Sequence, residues 1–232
     1  MAERIKKAAS GPGFTTADFG GVASALAAVG RSFYSRGWVL GTSGNFSTVI
    51  SRDPLRLAIT SSGVDKSELA AEHILQVDDA GRVVAGSGRP SAETLLHITV
   101  ARLRNAGAVL HTHSIWSNLL SDRHGGDSGV TISGYEMLKG LEGITTHEHS
   151  EWLPVIENSQ DMPALARTVA GVLKQHPAAH GFLLRRHGLY TWGKDLAEAR
   201  RHVEILEFLL EVLGRNSTGS VPNIPKGSDR AY

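Results

Sequence analysis

The stretch that most constrains this chain is Gly107-Ala-Val-Leu-His-Thr-His-Ser114, in which an apolar run leads into two histidines. Side chains alternate across a β-strand, so residues i and i+2 lie on the same face. We therefore expect His111 and His113 to project together from the end of a buried strand. Two imidazoles in that position can bind one metal ion, and a catalytic zinc takes three protein ligands and keeps one open position. The pattern predicts a metal site whose third ligand comes from elsewhere in the chain.

A second motif with the same spacing, His147 and His149, offers an alternative pair. Spacing alone does not distinguish the two motifs. The first follows Val109-Leu110, which makes a better buried strand than the Gly143-Ile-Thr-Thr146 segment before the second. The sequence therefore favours the first motif as the metal-binding pair.

A third ligand is available in Arg186-His-Gly188, which lies between two strand-like runs. A histidine at a strand end beside a glycine is well placed to reach a metal that another strand holds. A single histidine is more often structural than a ligand, so the residues alone leave both roles of His187 open.

Two loops rich in small residues, Gly41–Ser47 and Thr60–Gly63, follow strand-like runs. Small residues let backbone N–H groups approach an anion closely, and strand ends are where open sheets usually hold ligands. The two loops together indicate a phosphate site, although a polar turn explains each of them individually.

Two glutamates are candidates for proton transfer. Glu93 lies in the first turn of a helix whose expected N-cap is Ser91, and its structural role there would be a helix-dipole contact worth about 0.3–1 kcal/mol. Glu136 and Lys139 are three residues apart on a short helical segment, and their structural role would be a surface ion pair.

Composition limits the class of protein. The 232 residues are 41% apolar and 20% charged, with a net charge of +1 and no cysteine. The absence of cysteine excludes disulfides, cysteine-ligated zinc and thiol nucleophiles. The near-neutral charge gives no indication of a nucleic-acid or membrane partner, and the whole pattern fits a cytoplasmic protein.

The order of the elements predicts one α/β domain. Helical and strand-like runs alternate, and most strand pairs are joined by short turns, which favours antiparallel pairing. We expect a three-layer α/β/α fold with a central, mainly antiparallel mixed sheet. Residues 1–14 are expected to form a flexible leader, residues 15–213 the catalytic domain, and residues 214–232 a flexible tail.

Five motifs carry a resemblance to a known family. They are Gly41-Thr-Ser-Gly-Asn45, Ser61-Ser-Gly63, Pro90-Ser-Ala-Glu93, His111-Thr-His113 and His187-Gly188. In order and spacing they resemble the class II aldolase/adducin family, and the likeness runs from about residue 15 to 213. It implies the three-layer fold, a bound divalent ion and a sugar-phosphate substrate.

The resemblance also assigns the site residues. The family's metal ligands correspond to His111, His113 and His187, which implies one zinc ion per subunit and leaves His147 and His149 outside the site. Its phosphate-binding residues correspond to Thr42, Ser43, Gly44, Asn45, Ser61, Ser62, Gly63 and Ser91. The family's second phosphate-binding serine is replaced here by alanine at position 92, for which Arg89 or Lys139 is expected to compensate. Relatives form four-fold rings with sites near subunit contacts, which implies a homotetramer.

The two glutamates correspond to different branches of the family. A carboxylate at the position of Glu93 is the base in the sugar-phosphate aldolases, and one at the position of Glu136 is the acid/base in the dehydratases. The segments Glu136–Gly140 and Arg185–Gly193 are similar to dehydratases of methionine salvage, so Glu136 ranks first. The implied reaction is dehydration of 5-methylthioribulose 1-phosphate to 2,3-diketo-5-methylthiopentyl 1-phosphate. The alternatives are a sugar-phosphate aldolase or epimerase and a non-catalytic, adducin-like module.

Overall fold

The computed structural model describes residues 16–218, so the expected leader and residues 219–232 lie outside the described chain. The helices are α1 (Thr16–Ser35), α2 (Thr94–Leu103), α3 (Ile115–Arg123), α4 (Met162–Gln175) and α5 (Leu196–Thr218). The strands are β1 (Asn45–Arg52), β2 (Leu55–Thr60), β3 (Ile74–Val77), β4 (Val83–Ala85), β5 (Ala108–Thr112), β6 (Gly129–Ser133), β7 (Ser150–Ile156), β8 (Gly181–Leu184) and β9 (Gly188–Gly193). Short 3-10 segments occur at Lys66–Glu68, Ala71–His73, Gly125–Asp127 and Glu136–Gly140.

The strands of the described chain form one sheet in the order β4-β3-β2-β1-β5-β9-β8-β7-β6. Neighbouring strands pair antiparallel except β7 and β8, which are parallel because the connection between them contains α4. The expectation of a mixed, mainly antiparallel sheet is confirmed. Strand β5, which carries the first H-x-H motif, is the fifth of nine and pairs with β1 and β9.

Helices cover both faces of the sheet, which confirms the three-layer architecture. On one face, α2 and α4 pack over a core that includes Val109 and Phe182. On the other face, α1 and α5 pack over a core that includes Leu110, with α3 beside them. The neighbours Val109 and Leu110 belong to different cores because β5 alternates its side chains between the two faces. Within residues 16–218, no helix combines the length and hydropathy needed to cross a membrane.

Helix α4 shows how local sequence sets an element. Asp161 caps its N-terminus by accepting a hydrogen bond from Ala164 N at 2.9 Å. Leu165, Val169 and Leu173 follow at spacings of four and are buried, so one stripe faces the core. Burial of each such side chain contributes about 1.5–3 kcal/mol.

Two expected helix boundaries differ from the structure. Helix α2 begins at Thr94, and Ser91 is not its N-cap: Ser91 Oγ instead accepts from Glu93 N at 3.2 Å in the turn before the helix. Helix α5 continues past the expected boundary at 213 to Thr218, and Gly214 within it packs on the Trp116 ring, where a Cβ would lie 2.1 Å from the nearest ring atom.

Candidate metal centre

The first H-x-H motif lies at the C-terminal end of the central strand β5. His111 is fully buried on the α2 face, and His113 follows on the same side. Thr112 between them faces α5, where its hydroxyl donates to Glu207. The alternation expected from the sequence therefore places both imidazoles together.

The turn between β8 and β9 brings His187 to the same place. Arg186 adopts a left-handed conformation with φ of 54°, and its N–H donates to Ser121 Oγ at 3.0 Å. At Gly188 a Cβ would lie 1.9 Å from Thr112 O, so only glycine allows β9 to approach β5 this closely. Asn118 Nδ2 donates to His187 O at 2.9 Å and fixes the turn.

Three imidazoles and one carboxylate converge at this point. His111 Nε2 lies 2.7 Å from His113 Nε2 and 3.4 Å from His187 Nε2. Glu93 Oε2 lies 3.5 Å from His111 Nε2, and Glu93 Oε1 lies 3.3 Å from His187 Nε2. One ligand atom from each of the four residues lies within 4.8 Å of the others, so the group could bind a metal ion.

The protonation states of His111 and His113 suit binding of a divalent cation. His111 Nδ1 lies 3.0 Å from Leu189 O, and a carbonyl only accepts, so Nδ1 carries the proton and Nε2 turns a lone pair towards the cluster. Burial is the main cause that lowers the pKa of His111 far below its usual value and that of His113 to about 2. Glu93 Oε1 is buried without a hydrogen-bond partner among the described atoms. Neutral imidazoles beside an unsatisfied carboxylate oxygen form a donor set suited to zinc and similar ions.

The predicted phosphate residues lie beside this cluster. All eight of them line one cavity of about 140 Å³, together with Lys66, Glu93 and His113. Gly44 has φ of +73°, and a Cβ there would lie 2.8 Å from His111 O, so the loop can reach β5 only with glycine at this position. We refer to this cavity as the phosphate cradle.

A buried hydrogen-bond relay joins the cradle to the metal cluster. His97 Nε2 donates to Asn45 Oδ1 at 2.5 Å, and Ser47 Oγ lies 2.7 Å from His97 Nδ1. Asn45 Nδ2 then donates to Ser91 Oγ at 3.1 Å and to Glu93 Oε2 at 2.7 Å. Complete burial lowers the pKa of His97 to about 4, so the ring is neutral and donates from one nitrogen only. The relay fixes the Glu93 carboxylate opposite the imidazoles.

Three residues of the site were not predicted from the sequence: Lys66, His97 and Tyr190. The Tyr190 ring stacks on His111 at 3.9 Å between centroids and fixes the imidazole plane. His97 follows Glu93 by four residues, a spacing that places both on one helix face. Lys66 follows the second small-residue loop by three residues. Neither spacing was used as a signal, and nothing in the local sequence singles out Tyr190.

Glu136 does not belong to the cluster within this chain. It lies on the 3-10 segment Glu136–Gly140 with its side chain 73% exposed, and Lys139 Nζ donates to its Oε1 at 2.7 Å. His147 Nδ1 lies 3.8 Å from the same carboxylate. The structure thus separates the two candidate glutamates and brings only Glu93 to the histidines.

His149, the other histidine of the second motif, belongs to a different network. Its Nε2 lies 3.0 Å from Glu151 Oε2, which also accepts from His180 Nδ1 at 2.9 Å. His180 Nε2 donates to Glu142 O at 2.8 Å. His149 and His180 of this His149–Glu151–His180 network line a cavity of about 550 Å³.

Comparison with known proteins identifies the class. Residues 24–213 match the model of the class II aldolase and adducin N-terminal domain, so the chain belongs to this family. A methylthioribulose-1-phosphate dehydratase of Sorangium cellulosum is 44% identical over 201 residues, which are 86% of this chain and 94% of that protein. A protein of the same description from Methylococcus capsulatus is 46% identical over 82% of this chain and 91% of its own length.

Solved structures support the same fold. The L-fuculose-1-phosphate aldolase of Thermus thermophilus superposes with a TM-score of 0.68 at 26% identity, covering 88% of this chain and all of that one (100%). Another L-fuculose 1-phosphate aldolase has a TM-score of 0.72 at 22% identity and covers 91% of this chain and 92% of that one. The latter likeness shows the fold alone.

Proposed function

We propose that this chain is a metal-dependent hydro-lyase that converts 5-methylthioribulose 1-phosphate to 2,3-diketo-5-methylthiopentyl 1-phosphate in methionine salvage. The observation that carries the proposal is the contact between a three-histidine cluster and a phosphate cradle, with Glu93 and His113 bordering both. The dehydratase relatives, at 44% and 46% identity over most of the chain, supply the substrate class.

His111, His113 and His187 would hold the metal ion, which we propose is one zinc ion per subunit. A divalent ion held there would polarise the ketose carbonyl and stabilise the negative charge that develops on its oxygen. Tyr190 and the Leu189 carbonyl orient His111, so the position of this ligand is fixed before any substrate binds.

Substrate binding and proton transfer depend on the chain's own residues. The cradle binds the phosphate group and fixes the sugar with C2 towards the histidines. Binding of the phosphate therefore also orients the sugar for the reaction. A carboxylate then removes the C3 proton, and an acid assists departure of the C4 hydroxyl as water. The resulting enol tautomerises to the 2,3-diketone.

We propose Glu136 for this proton transfer and Glu93 as the carboxylate that contacts the metal or substrate. Because Glu136 lies outside the cluster of its own chain, its role requires a neighbouring subunit of the proposed homotetramer to present it. The adjacent Met137 side chain is 40% exposed, which supports a surface that another subunit covers. The cytoplasmic location expected from the sequence belongs to the same proposal.

Product analysis tests the reaction. Incubation of the metal-loaded protein with 5-methylthioribulose 1-phosphate should yield the diketone phosphate, identified by mass spectrometry and by its carbonyl absorbance. A fragment from C3–C4 cleavage would instead indicate the aldolase alternative. A purified protein without a bound divalent metal in elemental analysis, and without turnover, would support the adducin-like alternative.

A pair of variants tests the two glutamates. Glu136→Gln should retain the metal and lower kcat by about 10²–10⁴-fold, the usual contribution of general acid–base catalysis. Glu93→Gln should also retain the metal, because it leaves the three histidine ligands unchanged. If Glu93→Gln is inactive while Glu136→Gln turns over normally, the proton transfer belongs to Glu93.

A further inference from the structure

The eight residues that the family resemblance assigns to phosphate binding carry no positive charge. They line the phosphate cradle and offer backbone N–H groups, hydroxyls and one amide, all of them neutral. A phosphomonoester carries about two negative charges at neutral pH, and charge-assisted hydrogen bonds are the stronger ones. Neither of the expected compensating cations lines the cavity: the Arg89 side chain is exposed, and Lys139 pairs with Glu136.

Lys66 is the lysine that the structure places at the cradle. Its side chain is 1% exposed although it carries an ammonium group. Nζ donates to Thr42 O at 3.1 Å and to Val64 O at 2.9 Å, so it ties together the two loops that form the cavity. An ammonium group has three N–H donors, and no third partner occurs among residues 16–218.

The ammonium group of Lys66 also forms no ion pair within the described chain. No carboxylate there lies within 4 Å of Nζ, since the neighbouring Asp65 accepts from Ser67 N and Oγ instead. Burial lowers the pKa of Lys66 to about 8, which reflects the cost of an ammonium group among neutral carbonyls. A buried, unpaired cation lining an anion-sized cavity is most simply explained by an anion that binds there.

We propose that Lys66 binds the phosphate group of the substrate with its third N–H, while its other two donors hold the loops at positions 42 and 64. The proposal rests on the proposed function for the identity of the phosphorylated ligand. It assigns to Lys66 the positive charge that was expected from Arg89 or Lys139.

The test measures the binding of inorganic phosphate to the metal-loaded protein by calorimetry. Lys66→Gln keeps donors for the two carbonyls but removes the charge, and Lys66→Arg keeps the charge. We expect Lys66→Gln to raise the Kd for phosphate by about tenfold or more, as loss of one charge-assisted bond implies. Lys66→Arg should stay within about fivefold of the unmodified protein. Lys174→Met, which removes an exposed lysine of α4, is the matched control and should bind phosphate normally.

Turnover with 5-methylthioribulose 1-phosphate gives a second readout. Lys66→Gln should raise KM with a smaller change in kcat and with the metal content unchanged. If Lys66→Gln binds phosphate as tightly as the unmodified protein, or if Lys66→Arg loses binding as completely as Lys66→Gln, the residue only ties the loops and the proposal is wrong. Because the probe is inorganic phosphate, failure of the dehydration reaction leaves this test intact.

Discussion

The two H-x-H motifs of this chain have identical spacing but lie in different surroundings. His111 and His113 have lowered pKa values because burial removes them from water, and His111 Nε2 turns a lone pair towards His113 and His187. The segment of the second motif instead joins the His149–Glu151–His180 network, in which both nitrogens of His180 face oxygen acceptors.

The direction of the pKa shifts follows from these partners. Burial disfavours charge on His180, but hydrogen bonds from that ring to Glu151 outweigh it and raise the His180 pKa. Burial likewise opposes ionisation of Glu151, but hydrogen bonds from His180 and His149 outweigh it and lower the Glu151 pKa. Two motifs of the same spacing thus differ in the partners of their ring nitrogens, and those partners, more than the spacing, suit an imidazole to binding a metal ion or to carrying a positive charge.

The largest effect should come from the metal cluster. His113→Ala removes one of three imidazoles, so bound metal should fall well below stoichiometric and kcat/KM should drop by more than about a hundredfold, beyond the loss typical of a supporting partner. Elemental analysis and turnover measure the two effects. His149→Ala is the control from the second motif and should keep both metal and activity. Full metal retention in His113→Ala would remove the distinction between the motifs.

Glu151→Gln should have the next largest effect, and on stability rather than on metal. Glu151 is 1% exposed and accepts from His180 N, His180 Nδ1 and His149, and removing one partner of a buried ion pair costs about 3–5 kcal/mol. Urea unfolding measures this loss as the difference between the variant and the unmodified protein.

The same variant has a defined pH dependence. The pKa of Glu151 is lowered from 4.5, so its contribution is present above pH 4.5 and is lost as the pH falls through the folded-state pKa. The pKa of His180 is raised from 6.5, so its contribution is present below pH 6.5 and is lost as the pH rises through the folded-state pKa. The stability difference should therefore be greatest between pH 4.5 and 6.5 and smaller at pH 9. A difference that is constant over this range would argue against an ion pair.

His149→Ala should have the smallest effect. Its side chain is 24% exposed and makes one hydrogen bond to Glu151, and such a bond contributes about 1 kcal/mol. Urea unfolding should give a loss near that value, clearly smaller than for Glu151→Gln. Equal losses for the two variants would mean that His149, and not His180, is the main partner of the carboxylate.

The fold was predictable from the sequence because the runs of apolar residues are long and the turns between them are short. The pairing of His111 with His113 followed from strand alternation alone, whereas the assignment of His187 needed the family resemblance. The sequence did not reveal the relay through His97, because that relay depends on strand register. Asn45 stands opposite His111 across the β1–β5 pair, and a shift of one residue would turn its side chain to the other face.

The burial of Lys66 and the position of Glu136 could not be predicted from the sequence for a different reason. Burial of a lysine depends on how two loops close around it, which local sequence does not encode. Glu136 was ranked by the segment around it, and a segment gives no information about distance to a site formed by other strands. The carboxylate that the structure brings to the histidines is instead Glu93.

The wide separation of the proposed metal ligands along the chain has a consequence for biosynthesis. His187 joins His111 across 76 positions of sequence, and it can do so only after β9 has paired with the central strand β5. A nascent polypeptide that still lacks β9 would offer only two of the three proposed imidazole ligands, His111 and His113, and would therefore bind the ion less tightly. With the proposed ligands, metal binding would follow almost complete synthesis of the chain, and because binding stabilises the folded state, the ion would then stabilise a sheet that is already assembled.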